Sequence, residues 1–122
     1  MRAMMTSSIP RKAVQYEVLD GRPITFSVLV GEQQSGGSVA YLGTALAAQG
    51  LEIHDHELGD GAALRGRVLV VSTAVVDVRP EHDRTSVVVR VRGGSPDALD
   101  VMQSQETTPG GAVNYLTVVR FV

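Results

Sequence analysis

Apolar and polar residues alternate along much of the chain, with the period of two that a half-buried β-strand requires. The same alternation occurs in residues 14–18 and 113–122. It is cleanest over residues 24–30, where the apolar positions are Ile24, Phe26, Val28 and Val30. These segments predict strands of antiparallel sheets, each with one face turned toward a core.

The longest apolar segment, residues 67–78, carries apolar side chains on both of its predicted faces. This pattern predicts a central strand that is covered on both sides. A polar turn separates it from the alternating segment 85–92, so we expect these two strands to form an antiparallel hairpin. Residues 97–105 predict one turn of helix, with Leu99 and Met102 directed inward.

Residues 38–49 fit two different structures. As a helix, the segment has Ser38 as its N-cap, many alanines, and Gly50 as its C-cap. As a hairpin, it has two short strands joined at Gly43 and Thr44. A glycine inside a helix costs about 1 kcal/mol relative to alanine, which partly offsets the alanine-rich composition. The sequence leaves both structures open.

The helical alternative resembles a known family. Gly36 and Gly37, followed by Leu42 and an alanine-rich run, are similar to the start of the central helix in hotdog acyl-CoA thioesterases. The resemblance implies an α+β hotdog fold with one helix at about 38–49, and an acyl-CoA-binding protein or thioesterase. Those enzymes usually place a carboxylate on this helix, whereas residues 33–51 contain no acidic residue. The resemblance therefore implies an acyl-binding protein more readily than an active thioesterase.

The favoured architecture is all-β. The segments predict a single antiparallel β-sandwich or barrel-like domain over residues 13–122, with the hotdog fold as the alternative. Residues 1–12 are polar and rich in methionine, and they are predicted to form a flexible N-terminal arm.

Composition narrows the function. The 122 residues are 43% hydrophobic and 20% charged, as expected for one soluble globular domain. With no cysteine, disulfides, thiolate metal sites and thiol catalysis are excluded. The net charge of −2 and the aromatic content of 4% argue against nucleic acid or anionic membranes as partners. No apolar run approaches the roughly 20 residues of a membrane span, and we expect a cytoplasmic protein.

The histidines suggest a metal site. His54 and His56 lie on a predicted strand, where a spacing of two would direct both imidazoles to one face. Together with His82 and nearby carboxylates, they could bind zinc, nickel or iron. No other cofactor is expected.

Two polar regions are candidates for ligand binding. The first is the connection 33–38, with Gln33, Gln34 and Ser38, together with the acidic segment 52–60. The second is the strand face that carries Arg90 and Arg92, which could bind an anion or pair with the acidic segment.

No nucleophile elbow or phosphate-binding loop is present in the sequence. We therefore expect a non-catalytic binding or structural module, with an unknown protein or small molecule as partner. Thioesterase-like and metal-binding functions are the alternatives. The final strand, 113–122, carries Arg120 as its only charge, and it predicts sheet extension into a homo-oligomer.

Overall fold

The computed structural model describes residues 9–32, 34–78 and 83–122. Within these residues it contains one short helix, α1, which spans Gly61–Leu64, and no helix in them is long and apolar enough to cross a membrane. The strands are β1 Arg11–Tyr16, β2 Pro23–Val30, β3 Ser35–Leu42, β4 Ala45–Gly50, β5 Ile53–Asp60, β6 Val68–Val76, β7 Arg84–Arg92, β8 Ala98–Glu106 and β9 Ala112–Phe121.

The strands form two sheets. One has five strands in the order β1-β9-β6-β3-β4, and the other has four in the order β5-β2-β7-β8. All strand pairs are antiparallel except β1 with β9, which is parallel. The sheets pack face to face over one apolar core, and they do not close into a barrel. The predicted all-β sandwich is confirmed.

Alternation builds the core as the sequence predicts. In β2, Ile24, Phe26 and Val28 are buried. In β9, Val113, Tyr115, Val119 and Phe121 are buried on the face that turns toward β7 and β8. Burying a valine- or phenylalanine-sized side chain contributes roughly 1.5–3 kcal/mol, so these stripes hold the two sheets together.

Residues 38–49 lie in a hairpin and contain no helix, so the structural basis of the hotdog alternative is absent. β3 and β4 are antiparallel and meet at Gly43, whose φ of +63° is a left-handed conformation that glycine adopts without steric cost. On its other side β3 pairs with β6 along its whole length. β3 is thus paired on both sides, and its hairpin with β4 outweighs the helix propensity of the alanines.

The predicted hairpin between segments 67–78 and 85–92 is wrong. β6 pairs with β3 and β9, whereas β7 pairs with β2 and β8 in the other sheet. The valine-rich inner faces of β6 and β7 pack across the core instead of sharing an edge. After β6 the chain passes from the larger sheet to the smaller one. The Gln34 side chain forms hydrogen bonds to residues before and after this crossing.

The helical turn predicted at 97–105 is also wrong. These residues belong to β8, which pairs with β7 in regular antiparallel register. Val101 is buried, whereas Met102 points outward and is 57% exposed. The alternation of β8 is hard to see in the sequence because the inner positions Gln103 and Gln105 are polar, whereas the outer position Met102 is apolar.

The final strand is internal. β9 lies between β6 and β1, so the prediction that it is free for sheet extension is wrong. Backbone bonds from Val18 to Val122 and from Val122 to Tyr16 prolong the β1–β9 pairing. β1 begins at Arg11, inside the segment expected to form the N-terminal arm, and residues 1–8 lie outside the described residues.

Candidate interaction surface

An apolar row crosses the outer face of the five-stranded sheet. The strand registers place one residue from each strand side by side in the order Leu46, Tyr41, Val70, Val118 and Ala13. Neighbouring strands are about 4.8 Å apart, so this apolar row is roughly 19 Å long. Leu46 is 54% exposed and Tyr41 41% exposed, so the row meets solvent.

Strand β6 extends the apolar row along the sheet. Its outer side chains include Val68, Val70 and Val76, and Val76 is 38% exposed. At the β1 end, a shallow depression of about 330 Å³ is lined by Ala13, Val14, Gln15, Val118 and Arg120. The face thus combines an apolar centre with a small concave border.

Charge is divided between the two sheets. The five strands of the larger sheet contain three basic residues, Arg11, Lys12 and Arg120, and no acidic residue. Arg11 lies two residues before Ala13 on β1, and Arg120 lies two residues after Val118 on β9. Both arginines are exposed. The acidic residues that lie in strands all belong to the smaller sheet: Asp55, Glu57, Asp60, Asp100 and Glu106.

On the outer face of the smaller sheet, Arg90 is held by a carboxylate. Its Nε and a terminal nitrogen donate to the two oxygens of Asp100 at 2.6 and 2.9 Å. These charge-assisted bonds raise the pKa of Arg90 and lower the pKa of Asp100. Arg92 is exposed on the same face, opposite Thr25 and Ala98.

The partner of Arg90 is therefore on β8 and not in the acidic segment 52–60. Sequence reasoning missed Asp100 because it assigned 97–105 to a helical turn. A strand over 98–106 would have placed Asp100 directly across from Arg90.

His54 and His56 do not share a face. Phe26 pairs with His56, and Val28 pairs with Ile53, so β5 has one extra residue between these positions. Asp55 has a φ of +46° at this bulge. The rings of His56 and Phe26 form a T-shaped pair on the inner face, with their centroids 5.7 Å apart. His54 points the other way and its Nε2 lies 3.4 Å from Glu52.

The bulge removes the geometry on which the metal site was predicted. Within residues 9–32, 34–78 and 83–122, no group of three or more His, Asp or Glu side chains is arranged to hold a metal ion. The third proposed ligand, His82, lies outside the described residues, as does Gln33.

Gln34 and Ser38 are internal. The Gln34 amide nitrogen donates to Asp77 at 3.1 Å and to the Arg84 carbonyl at 3.0 Å, and its oxygen accepts from the Val78 backbone at 2.7 Å. Ser38 is buried with its hydroxyl 3.0 Å from that of Thr73. Gln34 joins the residues that follow β6 to the start of β7, and Ser38 joins β3 to β6. Neither side chain presents its polar atoms to solvent.

Comparisons of the chain with protein-family models, with characterised proteins and with solved structures find no match.

Proposed function

We propose that this chain is a non-catalytic interaction module that binds a partner protein on the outer face of its five-stranded sheet. The observation that carries the proposal is strand β6. Its sequence is apolar on both faces except at Ser72 and Thr73, a pattern typical of a strand that is covered on both sides. The face of β6 with Leu69, Val71 and Val75 is buried in the core. The opposite face, with Val70 and Val76, lies on the outside of the sheet.

The apolar row makes this side a continuous surface. Isolated exposed apolar residues are normal on proteins, but a contiguous apolar patch is typical of an interaction site. Here apolar side chains are adjacent across all five strands, from Leu46 to Ala13. A partner that covers the row removes this surface from water.

The charges indicate the chemistry of the partner. Arg11 and Arg120 lie beside the β1 end of the row, and the strands of this sheet carry no carboxylate. A partner with apolar side chains next to carboxylates would bury the row and pair with the guanidinium groups. Such complementarity favours the correct partner and repels basic ones.

Two synthetic probes test the proposal: a soluble peptide that alternates leucine with glutamate, and one that alternates leucine with lysine. We expect the acidic peptide to bind at least about tenfold more tightly, because only it can pair with the arginines. Its binding should shift the backbone amide NMR signals of β3, β6 and β9.

Matched substitutions locate the binding site. Val118→Glu places a carboxylate in the apolar row and should abolish binding of the acidic peptide. Val88→Glu, at a half-buried valine on the outer face of the smaller sheet, should leave binding unchanged. Equal binding of the two peptides, or binding that survives Val118→Glu, would overturn the proposal.

A further inference from the structure

The two sheets end in four edge strands: β1 and β4 in the larger sheet, β5 and β8 in the smaller. Natural proteins protect such edges from unwanted pairing with charges, prolines or bulges. Three of the edges carry charged residues, namely Arg11 and Lys12 in β1, Asp55, Glu57 and Asp60 in β5, and Asp100 and Glu106 in β8.

Strand β4 is different. Its six residues, Ala45–Gly50, include no charged residue and no proline. One protective feature is present, a bulge in its pairing with β3, whose extra residue, Ala47, turns toward the core. Among the described residues, this is the edge with the weakest protection against another strand.

Exposed apolar side chains gather around the same edge. Leu46 is 54% exposed, its cross-strand neighbour Tyr41 is 41% exposed, and Leu51, directly after β4, is 73% exposed. An uncharged strand edge with apolar side chains beside it favours strand addition, because backbone hydrogen bonds and apolar burial then form together.

We propose that a second copy of this chain pairs along β4, antiparallel and about a two-fold axis, and joins the two larger sheets into one continuous sheet. A two-fold axis places an edge beside its own copy, so an edge whose charges are all of one sign meets charges of the same sign. Self-pairing of β1 would bring Arg11 and Lys12 against their counterparts, and β5 would oppose its own carboxylates. β4 alone avoids this repulsion among the edges described.

The dimer also extends the proposed binding surface. Pairing about an axis perpendicular to the sheet keeps both outer faces on the same side, so the two apolar rows lie on one continuous surface. The strand pairing itself rests on the β4 edge and not on the partner proposed for the outer face. The two proposals can therefore fail separately.

Sedimentation equilibrium of the full chain tests the pairing. We expect a concentration-dependent species of twice 12.9 kDa. The double substitution Ala45→Lys with Gln49→Lys puts charges on exposed positions of β4 and should weaken the dimer at least about tenfold. As a matched control, Ala98→Lys adds a lysine to the exposed edge strand β8 and should leave the dimer unchanged.

Hydrogen exchange gives an independent measure. In samples where the dimer is populated, amides of β4 should exchange more slowly than in dilute samples, while those of β5 and β8 should not change. A chain that stays monomeric at its highest soluble concentration would overturn the pairing, as would a dimer that tolerates the two β4 lysines. A dimer that dissociates only on Val118→Glu would mean that the outer faces pack together, which also overturns it.

Discussion

The hydroxyl of Tyr115 lies 2.6 Å from the hydroxyl of Thr85, and both side chains are buried between the sheets. The Thr85 hydroxyl also lies 2.8 Å from the carbonyl of Gln105, and the Tyr115 hydroxyl lies 3.1 Å from the carbonyl of Thr85, so either hydroxyl can supply the proton of the close contact. The chain of bonds runs from β9 in the larger sheet through β7 to β8 in the smaller one. It fixes the relative position of the two sheets more specifically than valine packing alone.

Removal of either hydroxyl of this pair should lower the free energy of unfolding. Tyr115→Phe and Thr85→Val are each expected to lower the free energy of unfolding by about 1–3 kcal/mol, because each removes hydrogen bonds from buried groups. The double variant should lose less than the sum of the two. Denaturant unfolding of all four proteins measures the coupling, and strictly additive losses would show that the two hydroxyls act independently.

Alkaline pH should destabilise the fold through two tyrosines. Burial raises the pKa of Tyr16 and of Tyr115 above the usual value near 10. Between the unfolded and folded pKa values, the unfolded chain releases these protons while the folded chain retains them. The free energy of unfolding is therefore insensitive to these tyrosines below about pH 10 and falls as the pH rises further.

The double variant Tyr16→Phe, Tyr115→Phe tests the origin of this fall. It should show a shallower decrease of the unfolding free energy at alkaline pH than the wild-type chain, although it is less stable at neutral pH. Urea unfolding at a series of pH values gives both quantities. An unchanged alkaline slope would assign the loss of stability to other groups.

Much of the fold follows from period-two alternation, and the failures have identifiable physical causes. Ile24, Phe26 and Val28 alternate with residues that face outward, and so do the buried residues of β9, so local sequence was sufficient there. Strand pairing is a different problem, because it depends on contacts between distant segments. Nothing local to 67–78 indicates that its neighbours are β3 and β9.

The candidate site was harder to predict than the fold. The outer face of β6 was visible in the sequence, but the row that it joins depends on the register of five strands. The expectation that His54 and His56 share a face was wrong because of one residue, Asp55, whose left-handed backbone inserts an extra position into β5. Asp can adopt this conformation, but its presence in a sequence does not reveal it.

The conformation of Asp55 gives a direct test of the bulge. The Asp55 backbone donates to the Ser27 hydroxyl at 2.8 Å, and that hydroxyl donates to the Asp55 carboxylate at 3.3 Å. Asp55→Val should lower the free energy of unfolding by about 1–3 kcal/mol, because a β-branched residue is strained at positive φ and lacks the carboxylate. Thermal or denaturant unfolding measures the loss.

Asp55→Gly is the matched control. Glycine adopts the same φ without strain, so this variant should lose less stability than the valine variant, although both lack the carboxylate. If the valine variant is as stable as the glycine variant, the backbone at this position has relaxed and the bulge is not fixed by residue 55.

The crossing between the sheets depends on a neutral amide. Gln34 is buried with its nitrogen against Asp77 and its oxygen against the Val78 backbone. Gln34→Leu should cost about 1–3 kcal/mol, since it withdraws hydrogen-bond partners from buried groups. Gln34→Glu keeps the acceptor for Val78 but places a second carboxyl group against Asp77.

The two variants should therefore differ in their pH dependence. In the folded Gln34→Glu chain, two adjacent carboxyls favour retention of a proton, so the pKa of the pair rises above its unfolded value. The resulting stability is present at acidic pH and is lost as the pH rises toward neutrality. Urea unfolding at mildly acidic and neutral pH measures the difference. If Gln34→Glu shows the same pH dependence as Gln34→Leu, the introduced carboxyl has turned away from Asp77 and the amide is not required at the crossing.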